Sequence, residues 1–208
     1  VIDYEHFTIP FILTVDKVLA KIRNKTMREL PGGTLFPDTM KQYDDYTIRE
    51  ALHNCIAHQD YTLQERISFV EGDDKLYYGN GGSFIPVGRG IKKIFAEQRN
   101  RYFPMPDYDI DNNKRSVDVT IYGKMLDEKY SSLLKTNTDL TLKECVWLDA
   151  IQKHRPVTKD AIKHLKEKGL IEGRSPNYII SLTVAKLTHQ IGHYTKEKGL
   201  EEKLLEQT

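Results

Sequence analysis

The chain has 208 residues, 29% of them charged, with a formal net charge of +1 and a mean hydropathy of −0.55. That length buries a core for one or two domains. The near-neutral balance excludes a uniformly polycationic nucleic-acid binder, and no apolar run approaches the ~20 residues that a membrane span needs. Val1-Ile2-Asp3-Tyr4-Glu5 contains neither a basic nor an apolar segment, so no secretory signal is expected. Cys55 and Cys145 both fall on apolar helical faces and are expected as buried free thiols in a reducing, cytoplasmic compartment. No C-x-x-C or H-E-x-x-H spacing points to zinc.

In chain order, residues 11–27 read as a helix. Ile12, Val15, Val18, Leu19 and Ile22 lie on one side, with Lys17, Lys21, Arg23 and Lys25 outside. Pro31-Gly32-Gly33 closes that region, and residues 35–45 read as loop. The next helix opens at Thr47. Ile48, Ala51, Leu52, Cys55 and Ile56 share its apolar face. Glu50, Asn54 and His58 stack on a neighbouring face at i, i+4 and i+8. Two readings of that stripe stand side by side. Thr47-x-x-Glu50 has the form of a capping box. A carboxylate one turn before a carboxamide also lets Glu50 polarise a water while Asn54 ligates Mg²⁺ through its oxygen.

Residues 66–70 and 75–78 read as strands around a turn at 71–74, and residues 79–82 as a flexible turn. Residues 90–99 form a helix opened by Gly88 and Gly90, whose bare N–H groups and dipole suit phosphate. A plain helix start with turn glycines is the simpler alternative. Residues 108–110 and 116–122 form a hairpin, with Val117, Val119 and Ile121 on one face. The expected class is α+β: a two-layer α/β sandwich over residues 1–124, then a mainly helical winged-helix domain over 125–208.

In the second domain, helices are expected at 127–135, 142–153 and 159–168. Thr141-x-x-Glu144 is a capping box for the middle one, Pro156 stops it, and Thr158 caps the last, which ends at Gly169. Residues 170–172 and 178–181 form a β-wing around residues 173–177, and three helices with a hairpin make a winged helix. A final helix is expected over 183–205. Between Lys153 and Arg174 seven basic residues stand against three acidic ones. Ala161, Ile162 and Leu165 should face inward, leaving Lys159, Lys163, Lys166 and His164 outside, with Arg174 on the wing. Such a face contacts DNA phosphates or is simply solvated. Nothing on it suits bidentate base reading, so little sequence specificity is expected.

The run Arg49-Glu50-Ala51-Leu52-His53-Asn54-Cys55-Ile56-Ala57-His58-Gln59-Asp60-Tyr61 adds a resemblance to these readings. Its Glu-x-x-x-Asn helix resembles the N-box of the GHKL ATPase superfamily, which includes gyrase, histidine kinases and mismatch-repair ATPases. The whole run resembles the signature of a bacterial family of transcriptional regulators, also known as RecG-like "ATP-dependent DNA helicase" C-terminal regions. In these a GHKL-like domain typically follows a Schlafen/AlbA-type domain and precedes winged helices. Leu30-Pro31-Gly32-Gly33-Thr34-Leu35-Phe36-Pro37, Tyr78-Gly79-Asn80-Gly81-Gly82-Ser83-Phe84-Ile85-Pro86 and Gly88-Arg89-Gly90-Ile91 are similar to further segments of that family. The similarity covers most of residues 30–195.

The resemblance implies ATP and Mg²⁺ as cofactors. It makes Glu50 the general base and Asn54 the metal ligand, and puts His58, Asp60, Asn80, Gly82, Gly88 and Gly90 around the nucleotide. Asn80 stands where GHKL proteins carry an adenine-binding Asp, a departure that bears on nucleotide selection. The family also carries a lid segment between the stretches matched by Pro86 and Val87, and further parts beyond both ends. No G-x-x-x-x-G-K-[ST] occurs, so the chain encodes no helicase motor. The leading expectation is an ATP/Mg-binding regulatory module coupled to a DNA-binding winged helix. The rival is a degenerate GHKL scaffold for homodimerisation or protein contacts. A third is a slow Mg²⁺-dependent ATPase whose nucleotide gates assembly.

Overall fold

The computed structural model describes residues 5–7, 11–29, 38–63, 66–81, 89–111 and 116–181. The chain is α+β and divides into two compact units, the first ending at Lys124 and the second beginning at Met125. No helix among the described residues is long and apolar enough to cross a membrane.

The first unit holds α1 (Phe11–Lys21), β1 (Thr26–Glu29), β2 (Asp38–Lys41), α2 (Asp45–Ala57), a 3₁₀ turn (Tyr61–Leu63), β3 (Ser68–Glu71), β4 (Lys75–Gly81), α3 (Arg89–Asn100), β5 (Asp107–Asp111) and β6 (Ser116–Tyr122). β1 and β2 form an antiparallel pair with Thr26 opposite Lys41. The main sheet is antiparallel, in the order β3-β4-β6-β5. Strand alternation sends Leu76, Tyr78, Val117, Val119 and Ile121 to one face. They close a core with Val15 and Val18 of α1, Ile48, Ala51, Leu52 and Cys55 of α2, and Ile94 of α3. Each fully buried Leu or Ile contributes roughly 1.5–3 kcal/mol to that closure.

Four expectations change here. The first helix stops at Lys21, not at residue 27. Asn24 follows it with φ of 35°. Its side chain brackets the backbone of Tyr43, accepting from Tyr43 N–H (2.8 Å) and donating to Tyr43 C=O (3.0 Å). The carboxylate of Glu71 accepts from the N–H groups of Arg23 and Asn24, which satisfies the turn from the β3 side. The chain after Asn24 then pairs as β1 with β2, so part of the expected 35–45 loop is strand. The expected turn at 79–82 is strand through Gly81, with Gly79 opposite Asp118 and Asn80 opposite Val117. Finally, Thr47 is not a cap: it lies buried inside α2, and Asp44 caps the helix by accepting from Thr47 N–H at 2.8 Å. Residues 30–37 and 82–88, and with them Pro86, Val87, Gly82 and Gly88, lie outside the described residues, as does the helix expected over 183–205.

Gly123 closes the first unit against Tyr43. A Cβ there would lie 2.5 Å from two ring carbons of Tyr43 and 2.6 Å from Gln42 Cγ. Tyr43 is buried, and Asn24 holds its backbone from both sides, so the ring has little room to retreat. Gly123→Ala should therefore destabilise the unit by about 1–3 kcal/mol, read as a lower urea midpoint at unchanged m-value. An unchanged midpoint would mean that Tyr43 moves freely.

The second unit holds α4 (Glu128–Thr136), α5 (Leu142–Gln152), α6 (Lys159–Glu167) and the antiparallel pair β7 (Ile171–Arg174) and β8 (Asn177–Ile180). Asp127, Thr141 and Thr158 cap the three helices, and the Thr141–Glu144 capping box is formed in both directions. Gly169 takes φ of 69° after α6, a left-handed backbone that glycine adopts without strain. Tyr130, Leu133, Cys145, Leu148, Ala161 and Leu165 are fully buried at its centre. The two strands are longer than expected: Gly173, Arg174 and Asn177 are paired residues, which leaves Ser175-Pro176 as the turn.

Candidate functional site

The Asp44 cap starts α2 early enough that Tyr46, Glu50, Asn54 and His58 follow at four-residue intervals. Since Asp44 meets the Thr47 N–H, Glu50 is not a capping residue. Asn54 Nδ2 lies 3.5 Å from Glu50 Oε1. A carboxylate only accepts, so the amide presents its nitrogen to Glu50 and turns its oxygen away. Burial and the nearby Glu50 carboxylate raise the pKa of the Tyr46 phenol. Across from α2, Gly90 lies in the first turn of α3. A Cβ at Gly90 would fall 1.7 Å from Glu50 Oε1, so the carboxylate occupies space that only glycine leaves open.

Three residues that sequence reasoning passed over complete this cluster. Tyr46 stands one turn before Glu50, whose charge helps to raise its phenol pKa. Lys93 of α3 places its ammonium 3.5 Å from the centroid of the Tyr46 ring. Tyr108 of β5 stacks on Phe95 with centroids 6.1 Å apart, and its phenol pKa is pushed up by burial and by the nearby Cys55 and Glu50. Tyr46 was within reach of the sequence, being one turn before Glu50. Lys93 and Tyr108 arrive from elements 43 and 58 residues further along, and only the fold joins them.

The other predicted residues divide. His58 is the C-cap of α2 and is exposed, its N–H bonded to Asn54 C=O. Asp60 accepts from the N–H (3.0 Å) and the hydroxyl (2.5 Å) of Thr62, so its carboxylate shapes the 3₁₀ turn. Asn80 lies in β4, paired opposite Val117 of β6. Cys55 is a buried thiol pushed up to about 12 by burial, which removes it as a nucleophile. No group of three His, Cys, Asp or Glu side chains among the described residues is placed to hold a metal. Asn54 offers one amide oxygen, a ligand type that Mg²⁺ takes beside the waters it retains.

In the second unit, Lys159, Lys163, Lys166 and Arg174 are exposed. Lys163 pairs loosely with Glu167 at 3.9 Å, and Lys166 lies 4.9 Å over the Tyr178 ring of β8. Two basic residues depart from the expected face. His164 does not point free but contacts the buried Glu144 at 2.7 Å. Lys153 is buried against Asp149 at 2.7 Å.

No protein-family model and no curated protein matches the chain. Among solved structures it is similar to the DIP2311 protein from Corynebacterium diphtheriae, with a TM-score of 0.54 at 13% identity. The match covers 86% of this chain and 47% of that one, so the chain spans about half its length. A likeness at that identity concerns the fold alone.

Proposed function

We propose that the first unit is a GHKL-like module that binds Mg-ATP, and that the second is a winged helix whose exposed lysines contact DNA phosphates. The observation that carries the first part is the Glu50–Asn54 contact against Gly90. A cap would have turned Glu50 toward its own helix start. Here the carboxylate faces a second helix start beside a carboxamide whose oxygen is turned away. When bound, Mg²⁺ would neutralise phosphate charge, with Asn54 as its protein ligand. Glu50 takes a proton from the water whose oxygen attacks the terminal phosphorus. The bond to the bridging oxygen breaks, and ADP and inorganic phosphate leave. The reading is supported further by the Glu-x-x-x-Asn spacing of the N-box run, which resembles that of the regulator family. Asn54→Ala should weaken Mg-ATP binding by about tenfold or more, roughly 1.4 kcal/mol, in a calorimetric titration. Undiminished affinity would favour the scaffold reading instead.

The DNA part rests on the order of three helices and a hairpin, and on Lys159 and Lys163 exposed along α6 above buried Ala161 and Leu165. Lys159→Ala combined with Lys163→Ala should lower DNA affinity about equally for unrelated sequences and flatten its salt slope by roughly 1 per lysine. Unchanged gel-shift binding at low salt would assign the unit to protein contacts.

A further inference from the structure

We propose that the second face of the main sheet docks an arginine-bearing segment of a partner protein. In the first unit α1, α2 and α3 all pack on the core face. Strand alternation sends Tyr77 of β4 and Asp118 of β6 to the other side, with Val70 of β3 and Asp109 of β5. Val70 is 54% exposed there, and Asp109 is exposed.

Two features of this face are unlike an ordinary solvated sheet. The first is the placement of Tyr77. Gly79 stands directly opposite Asp118, and a Cβ on it would fall 2.9 Å from Asp118 Oδ1 and 3.0 Å from the Tyr77 hydroxyl. Tyr77 therefore leans along its own strand over Gly79 and donates to Asp118 Oδ1 at 2.6 Å. The second feature is charge. Asp109 is the partner of Asp118 from the β5 side, so like charges stand directly opposite each other, a destabilising arrangement. Protection of a sheet edge accounts for acids on β5, an outer strand. It does not account for Asp118, since β6 lies between β4 and β5. Asp107 adds a third carboxylate, held by the Tyr122 hydroxyl at 2.7 Å. Among the described strand residues of this face the one cation is Lys75, at the start of β4.

A guanidinium answers both features. Its planar fork pairs with carboxylates, and its face stacks on an aromatic ring. Val70, opposite Tyr77 in the register, offers apolar contact to a neighbouring residue of the same segment. The negative sign repels nucleic-acid phosphates, so the occupant is a protein and not DNA.

The test uses the full chain and a fluorescent acetyl-Arg-Val-Arg-Val-Arg-amide peptide, read by anisotropy at low ionic strength. Its citrulline counterpart keeps the shape and lacks the charge. The arginine peptide should bind and the citrulline peptide should not. Asp109→Asn with Asp118→Asn should weaken binding by about tenfold, and Tyr77→Leu by roughly threefold. Asp139→Asn with Glu172→Gln removes the same charge from exposed positions of the second unit and should change little. Asp109→Asn alone should weaken binding while the urea midpoint holds or rises, because it relieves the repulsion with Asp118. No binding by the unaltered chain overturns the proposal, as does equal binding of the citrulline peptide. So does undiminished binding in the Asp109/Asp118 variant, or an equal loss in the Asp139/Glu172 control, which would mark general charge attraction. Self-association of the unaltered chain that the Asp109/Asp118 variant abolishes would give the face to a second copy and overturn the partner assignment.

Discussion

Glu50→Gln should cut ATP turnover by about 10²-fold or more while Mg-ATP binds as before. The substitution keeps the shape of the side chain, and a carboxamide oxygen still accepts from Asn54. What it removes is the capacity to take a proton from water. The packing against Gly90 survives, because the amide has the size of the carboxylate. Single-turnover hydrolysis measured beside equilibrium binding separates the two effects. Turnover equal to that of the unaltered chain would remove Glu50 from the chemistry and leave it a spacer between α2 and α3.

Glu144→Ala should destabilise the second unit by about 1–3 kcal/mol. Glu144 is buried, and one carboxylate oxygen accepts from the Thr141 N–H and hydroxyl, both at 2.8 Å. The other meets His164 at 2.7 Å and Lys168 at 2.5 Å. Removing the carboxylate undoes the Glu144 half of the α5 capping box and the tie between α5 and α6 together, while Thr141 still accepts from the backbone N–H of residue 144. His164 and Lys168 are half-exposed, so water recovers part of their loss and the effect stays below that of a fully buried pair. Burial alone would raise this carboxyl group's pKa, but the bonds from Lys168, His164 and Thr141 prevail and hold it at about 2, against 4.5 unperturbed. The sign follows: a depressed folded value gives stability that is complete above about 4.5 and is lost as pH falls toward about 2. Acid titration of the unfolding midpoint should show that decline in the unaltered chain and a shallower one in the variant.

The features legible in sequence were those whose partners lie within one helical turn or one hairpin. Thr141–Glu144 and Thr158 read correctly because a cap is set by residues three apart. The β3–β4 and β5–β6 hairpins followed from alternation and turn composition. The β1–β2 pair did not, because Thr-Met-Arg-Glu carries no strand alternation and its pairing depends on Asn24 clasping Tyr43 nineteen residues on. Thr47 was misread as a cap since both Asp44 and Thr47 are capping residue types, and only the position of α2 decides between them. Glu144 was seen as half of a capping box, while its tie to His164 and Lys168 depends on α6 packing against α5. The burial of Lys153 beside Asp149 was equally hidden, because charge composition does not reveal which face of α5 the fold covers. At the candidate site, Glu50 and Asn54 came from periodicity and from the N-box resemblance. The space that Gly90 leaves for the carboxylate required the meeting of α2 with α3.

The central claim is that the Glu50–Asn54 face of α2 receives the phosphates of a magnesium-bound nucleotide. Isothermal titration of the unaltered full chain with ATP, with and without Mg²⁺, tests it most directly. The account predicts one saturable site per chain whose affinity falls when Mg²⁺ is withdrawn and falls again when Asn54 is Ala. Absence of saturable binding, or binding indifferent to both Mg²⁺ and Asn54, would contradict it.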